Sequence, residues 1–130
     1  MAETGSRVTR EQKVQMARKA LEDANTGRFS ADGWAQDAVF RSPLLGEVKG
    51  REAIIAALKR QRDAFEEFSQ EAHAVLADDD HVVALVNVNA RSKGQDVKAQ
   101  QVIVVHTTDQ GQIKEFWSML DADALKKIGR

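Results

Sequence analysis

The chain has 130 residues, enough for one domain that buries roughly two thirds of its unfolded surface without staples. Cysteine and tyrosine are both absent, which excludes a disulfide framework, a thiolate nucleophile, a zinc–thiolate site and a phenolic acid. Net charge is −1 with both signs interspersed, so no basic footprint for nucleic acid is present, and no apolar run approaches the roughly 20 residues that span a bilayer.

Met1 to Ser6 lack the apolar stretch of a signal peptide, so the expectation is a cytoplasmic protein, one domain over 1–130 with a mobile segment at 1–8. Thr9, with Gln12 three residues on, is a capping-box signature, and Val14, Ala17, Leu21 and Ala24 then recur at helical spacing. Asn25-Thr26-Gly27 ends that helix. A short helix or turn is expected to carry Phe29 and Trp34. Ala38 to Ser42 reads as a strand stopped by Pro43, which has no amide to donate. Leu44 to Gly50 reads as a loop or short strand. Arg51 to about Phe65 is the second long helix, with Ile54, Ile55, Leu58 and Phe65 as its apolar stripe. The basic run Lys59-Arg60-Gln61-Arg62 on this helix reads as a solvated face.

The rhythm then changes to a period near two. Phe68 to Ala77, Val82 to Arg91, Val97 to Thr107 and Gln112 to Leu120 read as four strands. Turns come at Asp78-Asp79-Asp80, Ser92-Lys93-Gly94-Gln95 and Asp109-Gln110-Gly111. Short connections imply antiparallel neighbours. The expected fold is α+β, a cystatin-like roll: a curved antiparallel sheet with helices packed on its concave face. Val83, Leu85, Val102 and Val104 alternate away from that face, so the other side of the sheet also needs cover. A second copy of the chain is the simplest one, and a homodimer through the sheet is expected.

Four stretches carry a resemblance: Gln36 to Pro43, Gly50 to Ile54, Leu76 to Ala84 and Gly111 to Trp117. Together, in this order, they resemble the nuclear transport factor 2-like superfamily, in its SnoaL-like branch. That superfamily holds polyketide cyclases, ketosteroid isomerases, limonene-epoxide-type hydrolases and non-catalytic binding modules, so the fold alone does not choose an activity. The resemblance places the isomerase base at Ser42, the isomerase acid or cyclase histidine at Ile103, and the cyclase or hydrolase carboxylate at Ser118. It places the hydrolase arginine and aspartate near Val86 and Val88, and gives the hydrolase tyrosine no counterpart. None of the three familiar mechanisms is expected to operate in its usual form.

Alternation assigns Phe40, Ser42, Val86, Val88, Gln101, Ile103, Val105, Phe116 and Ser118 to the concave face, to which the helical segments add Trp34, Leu58, Arg62 and Phe65. These side chains either fill a core or line a cone-shaped, apolar, ligand-sized pocket; Ser42 and Ser118 tilt the choice, because a hydroxyl among hydrocarbons needs a partner. His106 shares the phase of Val102 and Val104 and so falls on the opposite face, where Trp117 also belongs. Arg41 is expected to pair with Asp37 or Glu47. Asp121 is either a general base at the pocket mouth or the N-cap of a terminal helix over Ala122 to Ile128. No histidine pair has metal-ligand spacing, and the aspartates at 78–80 read as a turn, so neither metal nor cofactor is expected. The leading functional expectation is binding of a small hydrophobic molecule, with cyclase-, isomerase- or epoxide-hydrolase-like chemistry as the catalytic variant. A non-catalytic, homodimerising interaction module is the alternative.

Overall fold

Residues 7–121, with Asp123, Ala124 and Lys126, are described by the structure, a computed structural model. Helix α1 (Arg10–Asn25) begins with the expected reciprocal cap: Thr9 Oγ1 accepts the Gln12 amide at 3.0 Å, and Gln12 Oε1 accepts the Thr9 amide at 2.8 Å. One 3-10 turn (Ala31–Gly33) leads into β1 (Trp34–Ser42), β2 (Gly46–Lys49) and α2 (Arg51–Asp63). Trp34 therefore opens a strand and is not helical. The meander follows as β3 (Glu67–Ala77), β4 (His81–Ser92), β5 (Gln95–Thr107) and β6 (Ile113–Leu120).

The six strands lie in the order β2-β1-β6-β5-β4-β3. The meander is antiparallel throughout, but β1 runs parallel to β6, so the curved sheet is mixed and not purely antiparallel. A parallel neighbour needs a long crossover. Here that crossover is everything between β1 and β6, and no local pattern announces it. Between β4 and β5 the turn is Lys93-Gly94, both at positive φ (55° and 76°), as a two-residue hairpin loop of the twist-matching kind requires.

One face of the sheet carries the helices. Val82, Ala84, Val86, Val88, Val97, Ala99, Ile103 and Val105 are buried there, with Val14, Ala17 and Leu21 of α1 packed on them. Ile54 of α2 lies in a second cluster with Trp34, Ala38 and Phe40. Phase in β3 is broken by a bulge: Ala72 faces Val86, Ala74 faces Leu85, and His73 is the extra residue.

The N-terminal end of α1 is fastened to the turn between β3 and β4. Arg10 pairs with Asp79 at 2.9 Å, Arg7 with Asp80 at 3.2 Å, and Lys13 reaches the Asp79 carbonyl. Lys13 is buried, its stem lying along apolar surface while the amine finds an oxygen. The Arg10 guanidinium holds the Asp79 carboxyl below its ordinary range, and Asp79 in turn raises Arg10. Asp78 closes its own turn by accepting the amides of Asp80 and His81, at 2.8 and 2.7 Å, which lowers its pKa. Residues 1–6 of the expected mobile segment lie outside the described residues; Val8 donates its amide to the Asp109 carbonyl at 2.8 Å.

Candidate functional site: the cavity under the helices

Between the helices and the sheet lies a cavity of about 370 Å³, within the range of small-molecule sites. Three aromatic rings form one wall. Phe40 and Phe116 are register partners on β1 and β6 and stack with centroids 4.5 Å apart at 15°; Trp34 meets Phe116 at 5.7 Å and Phe40 at 6.2 Å. The floor is set by cross-strand rows. Ala84, Ile103 and Ser118 form one, and Val86, Gln101 and Leu120 the next. Leu21 and Ala24 of α1, Leu58 of α2 and Phe65 beyond it close the cavity from the helical side.

Most of the lining is hydrocarbon, with Lys13 and Thr107 as buried polar members whose partners lie in the turn between β3 and β4: the Lys13 amine reaches the Asp79 carbonyl and the Thr107 hydroxyl the Asp80 carbonyl. Ser118 is buried on the floor, and Gln70 and Gln101 bring carboxamides in from β3 and β5. The lining carboxylate is Asp23, which pairs with Lys19 at 3.3 Å. Lys19, Arg28 and Ser30 are exposed members of the lining, so the mouth opens between the C-terminal half of α1 and the loop after it.

Of the residues assigned to a pocket from the sequence, Trp34, Phe40, Ser42, Leu58, Phe65, Val88, Gln101, Ile103, Phe116 and Ser118 line this cavity. Val86, Arg62 and Asp121 do not. Val86 lies on the correct face but is sealed beneath its neighbours at 2% exposure. Arg62 does not lie on a solvated face with Lys59 and Arg60. It turns toward α1, where Nη2 donates to the Asn25 carbonyl at 3.2 Å and the guanidinium sits 6.0 Å from the Phe68 ring. Asp121 is exposed, lies outside the cavity lining and accepts the Ala124 amide at 2.8 Å, the geometry of the helix cap that is one of its two expected roles. Asp123, Ala124 and Lys126 are helical; the rest of the expected terminal helix, at 122, 125, 127 and 128, lies outside the described residues. Ser42 lines the cavity, yet its hydroxyl already accepts the Leu45 amide at 3.0 Å and so shapes the turn into β2.

Gln70, Phe68 and Leu120 are lining residues that the sequence reading missed. Leu120 shares the parity of Phe116 and Ser118, and that signal was enough to find it. Gln70 and Phe68 precede the bulge at His73, so strict alternation along β3 gives no consistent face.

The opposite face of the sheet is open in the single chain. Leu76, Val83, Val104 and Trp117 form one continuous cross-strand row that ends on Arg41, and Leu85, Val102 and Met119 form the next. Met119 is 54% exposed and Leu76 63%. Arg41 lies 5.5 Å over the Trp117 ring and pairs with Glu47 at 3.1 Å and Glu115 at 3.3 Å. His106 is on this face, 3.3 Å from Glu115 and stacked on His81 at 5.0 Å. The His106 contact, reinforced by Arg41, holds the Glu115 carboxyl below its ordinary range. No cluster that could hold a metal ion occurs among the described residues.

A half-open, six-stranded mixed sheet folded over two helices and an apolar cavity defines a protein of the nuclear transport factor 2-like class. The profile described as a SnoaL-like domain matches residues 14–116, and the chain belongs to that family. Solved structures agree at the level of fold. Bal32a, from a soil-derived mobile gene cassette, aligns with a TM-score of 0.83 and 23% identity over 92% of this chain and 98% of its own. An LEH-like epoxide hydrolase from M. tuberculosis gives 0.76 and 15% over 92% and 90%. A protein of ketosteroid isomerase-like fold from Catenulispora acidiphila, in complex with trimethylamine, gives 0.75 and 16% over 93% and 94%. A search of curated protein sequences finds no match. No helix among the described residues is long and apolar enough to cross a membrane.

Proposed function

We propose that this protein binds a small, neutral, predominantly apolar molecule in the cavity under its helices, and does so in the cytoplasm as a homodimer. The observation that carries the reading is the cavity itself: about 370 Å³, walled by Trp34, Phe40 and Phe116, with its lining carboxylate at the mouth and paired to Lys19. An ion entering such a volume would give up hydration that the walls do not replace, whereas hydrocarbon gains by leaving water. The resemblance puts Ser42, Ile103 and Ser118 at the positions of acids or bases in catalytic relatives, which favours holding and orienting a ligand over proton transfer. A cyclase-like outcome would then come from the shape in which the cavity holds a flexible substrate.

The test is a fluorescence titration with N-phenyl-1-naphthylamine, a neutral apolar probe, on the wild type and on Ile103→Trp, which projects a bulkier side chain into the cavity. Saturable binding by the wild type and at least tenfold weaker binding by the folded variant are expected. Equal binding by both would place the probe elsewhere and remove the reading.

The open sheet face favours self-association as part of the same account. Its two apolar rows span β3 to β6, and large exposed apolar patches on soluble chains mark contact surfaces. Sedimentation equilibrium at micromolar concentration is expected to give twice the chain mass, and Val104→Lys to give the single-chain mass. A wild-type monomer would dismiss the dimer.

A further inference from the structure

Gln101 occupies the middle of β5 on the helix-covered face. Its register partners are Val86 and Leu120, and Ala99 and Ile103 flank it along the strand on the same face. All four neighbours are hydrocarbon. The side chain lines the cavity, its Oε1 is buried, and no donor among the described residues reaches that oxygen. A carbonyl oxygen without a donor is costly to bury, so a protein retains one where something pairs with it.

Among the described residues two other buried polar atoms lack partners, Arg62 Nε and Gln70 Oε1, and they have a simpler resolution. Both residues lie beside Asn25: Arg62 donates to its carbonyl, and the Asn25 carboxamide exchanges hydrogen bonds with the Gln70 backbone at 2.9 and 2.7 Å. A donor and an acceptor in one neighbourhood can meet by a small rotation about a soft terminal torsion. The nearest polar side chain to Gln101 is Ser118, one row away on β6, and its hydroxyl makes no hydrogen bond to the Gln101 oxygen. The Gln101 carboxamide turns about the same kind of torsion, and the space it can turn into is the cavity.

We propose that Gln101 is the specificity-determining group of the cavity and that the ligand carries a hydrogen-bond donor, an alcohol, phenol or N–H, on an otherwise apolar frame. The inference rests on the cavity being a binding site and goes beyond it by naming the ligand's chemistry. Ethers, esters and epoxides offer acceptors only. They can accept from the amide N–H of Gln101 but leave its oxygen unpaired, whereas a hydroxyl or N–H pairs the oxygen once the carboxamide turns it toward the cavity. Discrimination of this kind arises because a polar group in a dry site penalises the wrong partner.

The experiment compares 2-naphthol with 2-methoxynaphthalene, two neutral probes that share one ring system and differ in the donor. Affinities are measured calorimetrically on wild type, Gln101→Leu and Gln101→Met. The ratio of naphthol to ether affinity is expected to fall roughly three- to tenfold in both variants, the size of one net hydrogen bond, with the ether bound as tightly as before or tighter. Melting temperatures of the unliganded variants are expected to hold or rise, because an unpaired acceptor has been removed. If both probes bind and the ratio is unchanged, Gln101 does not read the ligand and this inference falls while the cavity reading stands. If neither probe binds wild type, both fall. A melting temperature lowered in both variants would mean that the carboxamide is already paired in the folded protein, which also overturns the inference.

Discussion

Replacing Ser118 with aspartate puts a carboxyl group on the cavity floor. Ser118 is 8% exposed, lies in register with Ile103, and shares its face of β6 with Phe116 and Leu120. Among the described residues no cation lies on that stretch of floor, and the nearest polar side chain in the next row is Gln101. An ionised carboxyl there loses its hydration with little return, so its pKa rises and the group neutralises part of the cost. The remaining penalty is about 1–3 kcal/mol, the usual size for a buried polar group without adequate partners. The sign of its pH dependence follows. A carboxyl whose pKa is higher folded than unfolded keeps its proton longer in the native state, so the native state binds more protons and stability falls as pH rises. Urea denaturation of Ser118→Asp, Ser118→Ala and wild type, each at pH 4 and pH 7, reads this out. The gap between Ser118→Asp and wild type is expected to be small at pH 4 and to widen by pH 7, while Ser118→Ala shows no such change. A gap that is negligible at both pH values would mean that residue 118 reaches water, and the assignment of β6 to the cavity floor would be wrong.

Phe40→Ala removes a ring that is 3% exposed and stacked on Phe116, and is expected to cost about 3–5 kcal/mol in chemical denaturation. Gly111 has φ +82°, and a Cβ there would come within 2.9 Å of the Met16 methyl group. Gly111→Ala is therefore expected to lose about 1–2 kcal/mol, with most of the loss persisting in a Met16→Ala background because it comes from the backbone. Asp78, Asp79 and Glu115 all have depressed carboxyl pKa values, so they stabilise the native state above the ordinary carboxylate range and lose that contribution as pH falls through and below roughly 4. Thermal melts across pH 3–7 should show this decline, and Arg10→Gln should shrink it by relaxing Asp79.

The alternation in β4 and β5 was legible because each strand has a distinct apolar set on each face. Val82, Ala84, Val86 and Val88 separate cleanly from Val83 and Leu85, and the register pairs Ala84 with Ile103 and Val83 with Val104 as the parity requires. β3 was opaque beyond its existence, because one inserted residue reverses every side chain after it. The parallel contact between β1 and β6 depends on elements far apart in the chain, so the sheet reads as purely antiparallel from its turns alone. Arg62 misled for a different reason: a run of cations on a helix is usually solvated, and nothing local shows that one of them folds back to meet Asn25. Ser42 and Asp121 were ambiguous in kind. Each is a short polar side chain next to a chain reversal, and in both the backbone amide three residues ahead takes the oxygen.

The claim on which the account turns is that ligand enters between the sheet and the helices, and chemical-shift mapping with 2-naphthol tests it directly. The account predicts saturable shifts at Ile103, Phe116, Ser118 and Leu120, with Val102, Val104 and Met119 on the open face changing far less. Shifts confined to that open face, or none at saturating probe, would contradict it.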